Sequence, residues 1–402
     1  MKTFLIHGRQ RPKYDLTRRV NHILHIVSRK FFTVIPILFL LATFSPVTES
    51  KATEFTPVYM DAPGTGFYDE TPLTDQVARG DISGSTLGEV RRRAFQSALD
   101  ILEGLIRTRN DNGIRIQASF DDLGEADERG AIILARAGAA DFRIIPESPL
   151  LPGGEFLALP IALSEHILER ELNENEADVE INFNERVPFY YGTGFETPLN
   201  YVNFTIITAH ELLHGLGFLD LVEKDGSFSE VELVDGRTGL AIGLYDLNLY
   251  SESEEELLVN LSQSERQEAI TSVDGLLWDG TTGGALSTSC SRLVGEALMD
   301  DYPSAVDSKG RPRLYAPDPW EQGSSVSHLA EASRDLMKPF YEGSEHLEFT
   351  RGMLLEMFWT VGIANPSSLE ILESCLADSG EEPEPEPMPE PTPEPMPEPT
   401  PE

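Results

Sequence analysis

The stretch Tyr201–Leu216 restricts the fold of this chain more than any other. Its core, Thr208-Ala-His-Glu-Leu-Leu-His-Gly-Leu-Gly-Phe, sets His210, Glu211 and His214 between apolar flanks. The apolar spacing predicts a helix from Tyr201 to Leu216, with Gly217 as its stop, because glycine takes the left-handed turn that closes helices at little cost. Residues four apart on a helix lie one above the other on one face, so the two imidazoles meet there. A lone histidine pair at this spacing is more often a satisfied core pair. Here the intervening Glu211, the flanks and Gly217 all agree on a metal.

Two imidazoles so arranged suit one zinc ion, and Glu211 projects beside them, placed to take a proton from water rather than to ligate the ion. Catalytic zinc normally takes three protein ligands and keeps one position for water. Three candidates compete for the third place. Asp220 follows His214 by six residues in an HExxHxxGxxD arrangement, and a turn at Gly217 would swing it back toward the metal. Glu230 or Glu232 would serve if borne on a helix, but Asp225-Gly-Ser-Phe reads as a turn. His328 lies in Gly323-Ser-Ser-Val-Ser-His-Leu, with Asp335-Leu-Met-Lys-Pro close behind.

The rest of the chain supplies a mixed architecture. Leu87, Val90, Ala94, Phe95, Ala98, Leu99, Leu102 and Ile106 recur at three- and four-residue steps, predicting an amphipathic helix from Thr86 to Arg107. After the turn Asn110 to Gly113, Ile114–Phe120 alternates like a strand, and Glu180–Asn184 has a similar short look. Helix, strands and then the His-Glu helix imply an α+β domain with a sheet packed on helices. Leu219 to Gly323 reads as a long insertion between the two parts of the site.

At this point the chain resembles the leishmanolysin-type branch of the metzincin zinc proteases. The resemblance rests on HELLHGLGF, a long insertion, the Ser-Ser-Val-Ser-His segment, and a Met followed closely by Pro. It implies a metzincin-like zincin with a mixed twisted sheet, zinc ligands at His210, His214 and His328, Glu211 as general base, and a Met-turn at Met337. It spans roughly residues 87 to 362, and its specific blocks are 208–218 and 323–339. The chain departs from the family in having two cysteines rather than many, and Leu329 where a bulky aromatic often stands. Histidine scarcity points the same way. Three of the eight lie in the first 30 residues, and besides His328 only His166 and His346 remain, neither in a comparable motif. That and the Met that follows favour His328 over Asp220. Tyr341 is read as a packing or hydrogen-bonding residue, with a role as an extra electrophile at the reacting carbonyl as the alternative.

Both ends are compositionally apart. Residues 1–30 carry eight Lys and Arg against one Asp, followed by the uncharged 14-residue run Phe31–Phe44. That is the pattern of a signal peptide, and it falls short of the roughly 20 residues that span a bilayer. Residues 1–50 are therefore expected to direct secretion without stable membrane insertion, leaving 51–380 as the catalytic domain, with 51–85 as a short propeptide or the first strand. Residues 381–402 alternate Pro with Glu and are expected to form an extended stalk or spacer rather than a core. Of the net charge of -37, the first 30 residues hold +7, Glu49 -1 and the last 22 residues -8, leaving -35 for residues 51–380. So acidic a surface argues against nucleic acid or anionic membrane as partner. Cys290 and Cys375 are expected to pair in an exported protein, and no cysteine precedes the His-Glu motif, which excludes a thiolate-silenced propeptide. The expected function is a secreted zinc endopeptidase acting on protein or peptide substrates. The alternative is a non-catalytic exported adhesion module with a structural zinc.

Overall fold

The computed structural model describes residues 51–361, apart from 109–112, 127–129, 147, 152, 175, 194–196, 281–288 and 342–346. The leader, Cys375 and the Pro/Glu tail lie outside the described residues. Within them the chain is a mixed α+β protein, and no helix is long and apolar enough to cross a membrane.

The helix Leu87–Leu105 starts where Thr86 accepts the N–H of Glu89, and it buries Val90, Ala94, Phe95, Ala98, Leu99 and Leu102 along one face. It ends two residues earlier than its periodicity suggests, because Ile106–Thr108 turns into a short strand paired with Lys51–Ala52. The helix connects Phe55–Tyr59 to Ile114–Asp121, which run parallel in one sheet. Residues 55–59 thus form an edge strand of this sheet. Val179–Asn184 adds in parallel to Ile114–Asp121, and Ala135–Ala139 adds antiparallel on its far side. The order is 55–59, 114–121, 179–184, 135–139.

One face of this sheet is apolar by strict alternation. Ile114, Ile116, Ala118 and Phe120, with Val179, Ile181 and Phe183, are buried, while Arg115, Gln117, Ser119, Glu180 and Asn182 occupy the other face. Phe67, Phe95, Phe120, Phe183, Phe189 and Phe204 cluster over the buried face, with Phe183 and Phe204 4.5 Å apart at their ring centroids. The His-Glu helix, Phe204–Gly215, lies on the same layer. Gly215 is where helix and strand come closest, since a Cβ there would stand 2.3 Å from the Val179 Cγ1.

The region 219–323 does not fold apart from the rest. Its strand Thr238–Gly243 runs parallel to Phe156–Pro160, which precedes the His-Glu helix in the chain. A further sheet of Leu249–Ser251, Glu256–Leu257 and Leu276–Trp278 contributes Leu249, Leu276 and Trp278 to the same apolar core as Phe55 and Trp359. Cys290 is buried at the start of the helix Cys290–Leu298.

Candidate metal centre

The His-Glu helix begins three residues later than the apolar pattern predicts, because Val202–Asn203 pairs with Phe189–Tyr190 as a strand and Asn203 then caps the helix. The Asn203 side chain accepts the Ile206 N–H at 3.1 Å. The Tyr341 hydroxyl accepts the Asn203 N–H at 3.2 Å and stands 2.8 Å from Thr197 Oγ1. Tyr341 therefore braces the helix start.

At the other end Gly217 adopts φ +114°, and the Gly217 and Phe218 N–H groups donate back to the carbonyls of His214 and Leu213. The closing turn aims the Phe218 carbonyl at the helix, where His214 Nδ1 donates to it at 2.6 Å. Trp359 Nε1 donates to the Leu216 carbonyl at 3.0 Å and fixes that turn from outside.

His328 comes from 114 residues further on. Its loop is bound tightly: Val326 N–H donates to the Tyr315 carbonyl, Tyr315 N–H to the His328 carbonyl, and the Tyr245 hydroxyl to the Val326 carbonyl at 2.9 Å. Val326 takes φ +72°, which for a β-branched residue costs on the order of 1–3 kcal/mol. Surrounding hydrogen bonds hold it there, two residues from the imidazole they place. Leu329 N–H then donates to the Met337 carbonyl, closing the loop on the Asp335-Leu-Met-Lys-Pro turn.

Three imidazoles meet as a result. The Nε2 atoms of His210, His214 and His328 are mutually 3.2 Å apart. Each Nδ1 faces a backbone carbonyl: Leu336 at 2.7 Å for His210, Phe218 at 2.6 Å for His214, and Ser324 at 2.8 Å for His328. A carbonyl oxygen only accepts, so each Nδ1 donates, and each Nε2 is the atom turned toward the other two rings. Lone pairs on three nitrogens at that separation repel unless positive charge sits among them. With side chains 1, 3 and 0 % exposed, water does little to relieve this.

The spacing fits a metal ion. Nitrogens bound tetrahedrally at roughly 2.0–2.1 Å lie about 3.3–3.4 Å from one another, close to what is found. The Nδ1 carbonyl bonds are the outer contacts that fix tautomer and ring orientation in metal-bound histidines. The buried group His210, His214 and His328 could thus hold a metal ion. Asp220 is buried but does not belong to that group. Glu230 and Glu232 lie exposed on a strand rather than on a helix.

Glu211 is 3 % exposed, on the helix between His210 and His214. Met337 is fully buried one residue beyond the Leu336 carbonyl that receives His210. Its turn is anchored by Asp335, whose Oδ1 accepts the Met337 N–H at 3.1 Å and the Thr350 hydroxyl at 2.5 Å. Asp335 Oδ2 accepts the N–H groups of Phe349 and Thr350 at 3.1 and 3.3 Å, at the start of the helix Glu348–Glu356. Burial pushes the Asp335 carboxyl up to about 6 against those donors.

The sequence pattern did not reveal the open strand beside the site. Glu180–Asn184, which the sequence marks as a short strand, is paired on both sides and cannot receive another strand. The edge on that side of the sheet is Ala135–Ala139, whose Ala-Arg-Ala-Gly-Ala composition lacks the β-branched and aromatic residues that mark strands. It becomes a strand because Val179–Asn184 offers an unpaired flank. Ala140 N–H donates to the Asp178 carbonyl and the Leu134 carbonyl accepts from Asn184 N–H, so antiparallel alternation leaves the backbone groups of Ala135, Ala137 and Ala139 facing outward.

A second group, Glu165, Glu171 and Asp178, also went unread in the sequence; its ligand atoms lie within 4.8 Å of one another. Glu165 accepts the Leu172 N–H at 2.8 Å, and Asp178 accepts from the Arg115 backbone and Asn173 Nδ2. Burial, then neighbouring carboxylates, pushes Glu165 up to about 8, and burial pushes Asp178 up to about 6. No family model matches the chain, and no curated protein matches it.

Proposed function

We propose that this chain is an exported zinc-dependent endopeptidase of the leishmanolysin-like metzincin type, with His210, His214 and His328 as the ligands and Glu211 as the general base. The observation that carries the reading is the triangle of Nε2 atoms, each 3.2 Å from the others and each ring locked through Nδ1 to a carbonyl. An all-nitrogen set of three ligands is the donor set of a catalytic zinc site, which keeps one position open. When bound, zinc supplies Lewis-acid polarisation of a carbonyl and acidifies water toward neutrality.

The chain's own residues supply the rest. Glu211, on the helix between the two first ligands, accepts the proton of the attacking water and returns it to the leaving amine. The edge Ala135–Ala139 offers its outward backbone groups to an extended peptide, which adds as an antiparallel strand and is held by main-chain hydrogen bonds. The leader pattern of residues 1–50 supports secretion, and the charge of -35 on residues 51–380 counts against nucleic acid as substrate.

The test is Glu211→Ala. Zinc content by mass spectrometry should match wild type, while casein cleavage falls by about a hundredfold or more. If wild type and variant both bind zinc and both leave casein intact, the site is structural and the adhesion reading takes its place.

A further inference from the structure

The open edge strand carries a cation, Arg136, whose charge is felt at Glu211. Arg136 sits in the middle of Ala135–Ala139, opposite Asn182, on a chain with 31 Lys and Arg against 68 Asp and Glu. Its Nε is buried and has no hydrogen-bond partner among the described residues. Burial pulls the guanidinium below its ordinary value and the Glu211 carboxylate opposes that shift, which places Arg136 within electrostatic reach of the site. It nonetheless stays protonated, with a planar fork of donors shaped for a carboxylate.

Register adds the geometry. Because Leu134 and Ala140 spend their backbone groups on the inner neighbour, so does Arg136 in the same alternation. A peptide added to the outer edge therefore meets Arg136 as a non-hydrogen-bonded pair, the arrangement in which facing side chains lie closest.

We propose that Arg136 reads an acidic side chain, Asp or Glu, on the one substrate residue that lies across from it when a peptide adds to this edge. The inference rests on the endopeptidase reading and names a specificity for the same site. The acidic surface elsewhere repels anions, so the preference is confined to that position and does not extend to acidic peptides in general. The half-buried guanidinium has lost part of its hydration, so a charged acceptor that meets its fork is worth on the order of tenfold in kcat/KM.

The experiment uses one quenched-fluorescence peptide sequence with Glu or Gln placed in turn at each position. Wild type should show a single position where Glu exceeds Gln by about tenfold, expressed chiefly in KM. Arg136→Gln should erase the Glu-to-Gln ratio, and Arg136→Glu should shift the preference to Lys at the same position. Ratios within each enzyme cancel general losses of activity. No preferred position in wild type, or a preference that survives Arg136→Gln, overturns the proposal. So does a preference abolished by amidating the peptide's C-terminus but not by Gln, because the guanidinium then reads a terminal carboxylate. If wild type leaves casein and every peptide intact, the endopeptidase reading fails separately. Affinities of the same peptides for the Glu211→Ala chain then decide Arg136, and equal binding of Glu and Gln versions sinks it.

Discussion

Asp335 ties the Met337 turn to the helix Glu348–Glu356 and, through the Leu336 carbonyl, to His210. Asp335→Ala strands the buried N–H groups of Met337, Phe349 and Thr350, while the Thr350 hydroxyl can rotate to another acceptor. At roughly 1–3 kcal/mol for each buried donor left unmade, less the relief of no longer burying a carboxylate, the loss comes to about 3–5 kcal/mol. That is a large share of the roughly 5–15 kcal/mol that holds a domain together. The freed turn also lets the Leu336 carbonyl drift from His210 Nδ1, and loss of such an outer contact lowers metal affinity by about 10- to 100-fold. Urea unfolding gives the first quantity, and zinc competition with a chromogenic chelator under native conditions gives the second. Asp335→Asn keeps one acceptor oxygen and should fall between. Unchanged unfolding and unchanged zinc affinity in Asp335→Ala would refute the idea that this carboxylate supports the site.

His328→Ala should lose bound zinc on dialysis while Asp220→Ala keeps it, measured by mass spectrometry, because only His328 shares the cluster with His210 and His214; full zinc in the His328 variant would remove it from the ligand set. The Glu165 and Asp178 carboxyls are held above their ordinary values, up to about 8 and about 6. Raised carboxyl values mean that the folded chain binds those protons more tightly than the unfolded one, so their contribution is full below about pH 4 and is lost as pH rises through about 6 and 8. Thermal melts across that range should show stability falling, and Glu165→Gln should flatten the decline; a wild-type profile that stays level would contradict the burial assigned to this pair.

Much of the site was legible because its chemistry is local. His210, Glu211 and His214 share a helical face by spacing alone, and Gly217 marks the stop through its backbone freedom. The helix Leu87–Leu105 and the strand Ile114–Asp121 were likewise readable, since each has a long, regular period and one buried face. Histidine scarcity and the Met after it singled out His328, although no local rule says that a residue 114 positions away reaches the same point. The helix start was misplaced for a tertiary reason: Val202 and Asn203 are recruited into a strand pair and a cap.

The sequence by itself determined which residue types could hold a metal and on which element two of them lie, because hydrophobic period and side-chain spacing are properties of neighbours along the chain. Only the tertiary structure decided three further things. It brought His328 to the pair through a loop with Val326 held in the left-handed region. It oriented every imidazole with a carbonyl from a turn, whether Leu336, Phe218 or Ser324. It made Ala135–Ala139, rather than Val179–Asn184, the open edge on that side of the sheet, with Arg136 in electrostatic reach of Glu211. Backbone carbonyls have no residue identity, and a strand becomes an edge only through its neighbours, so neither leaves a mark in the order of amino acids.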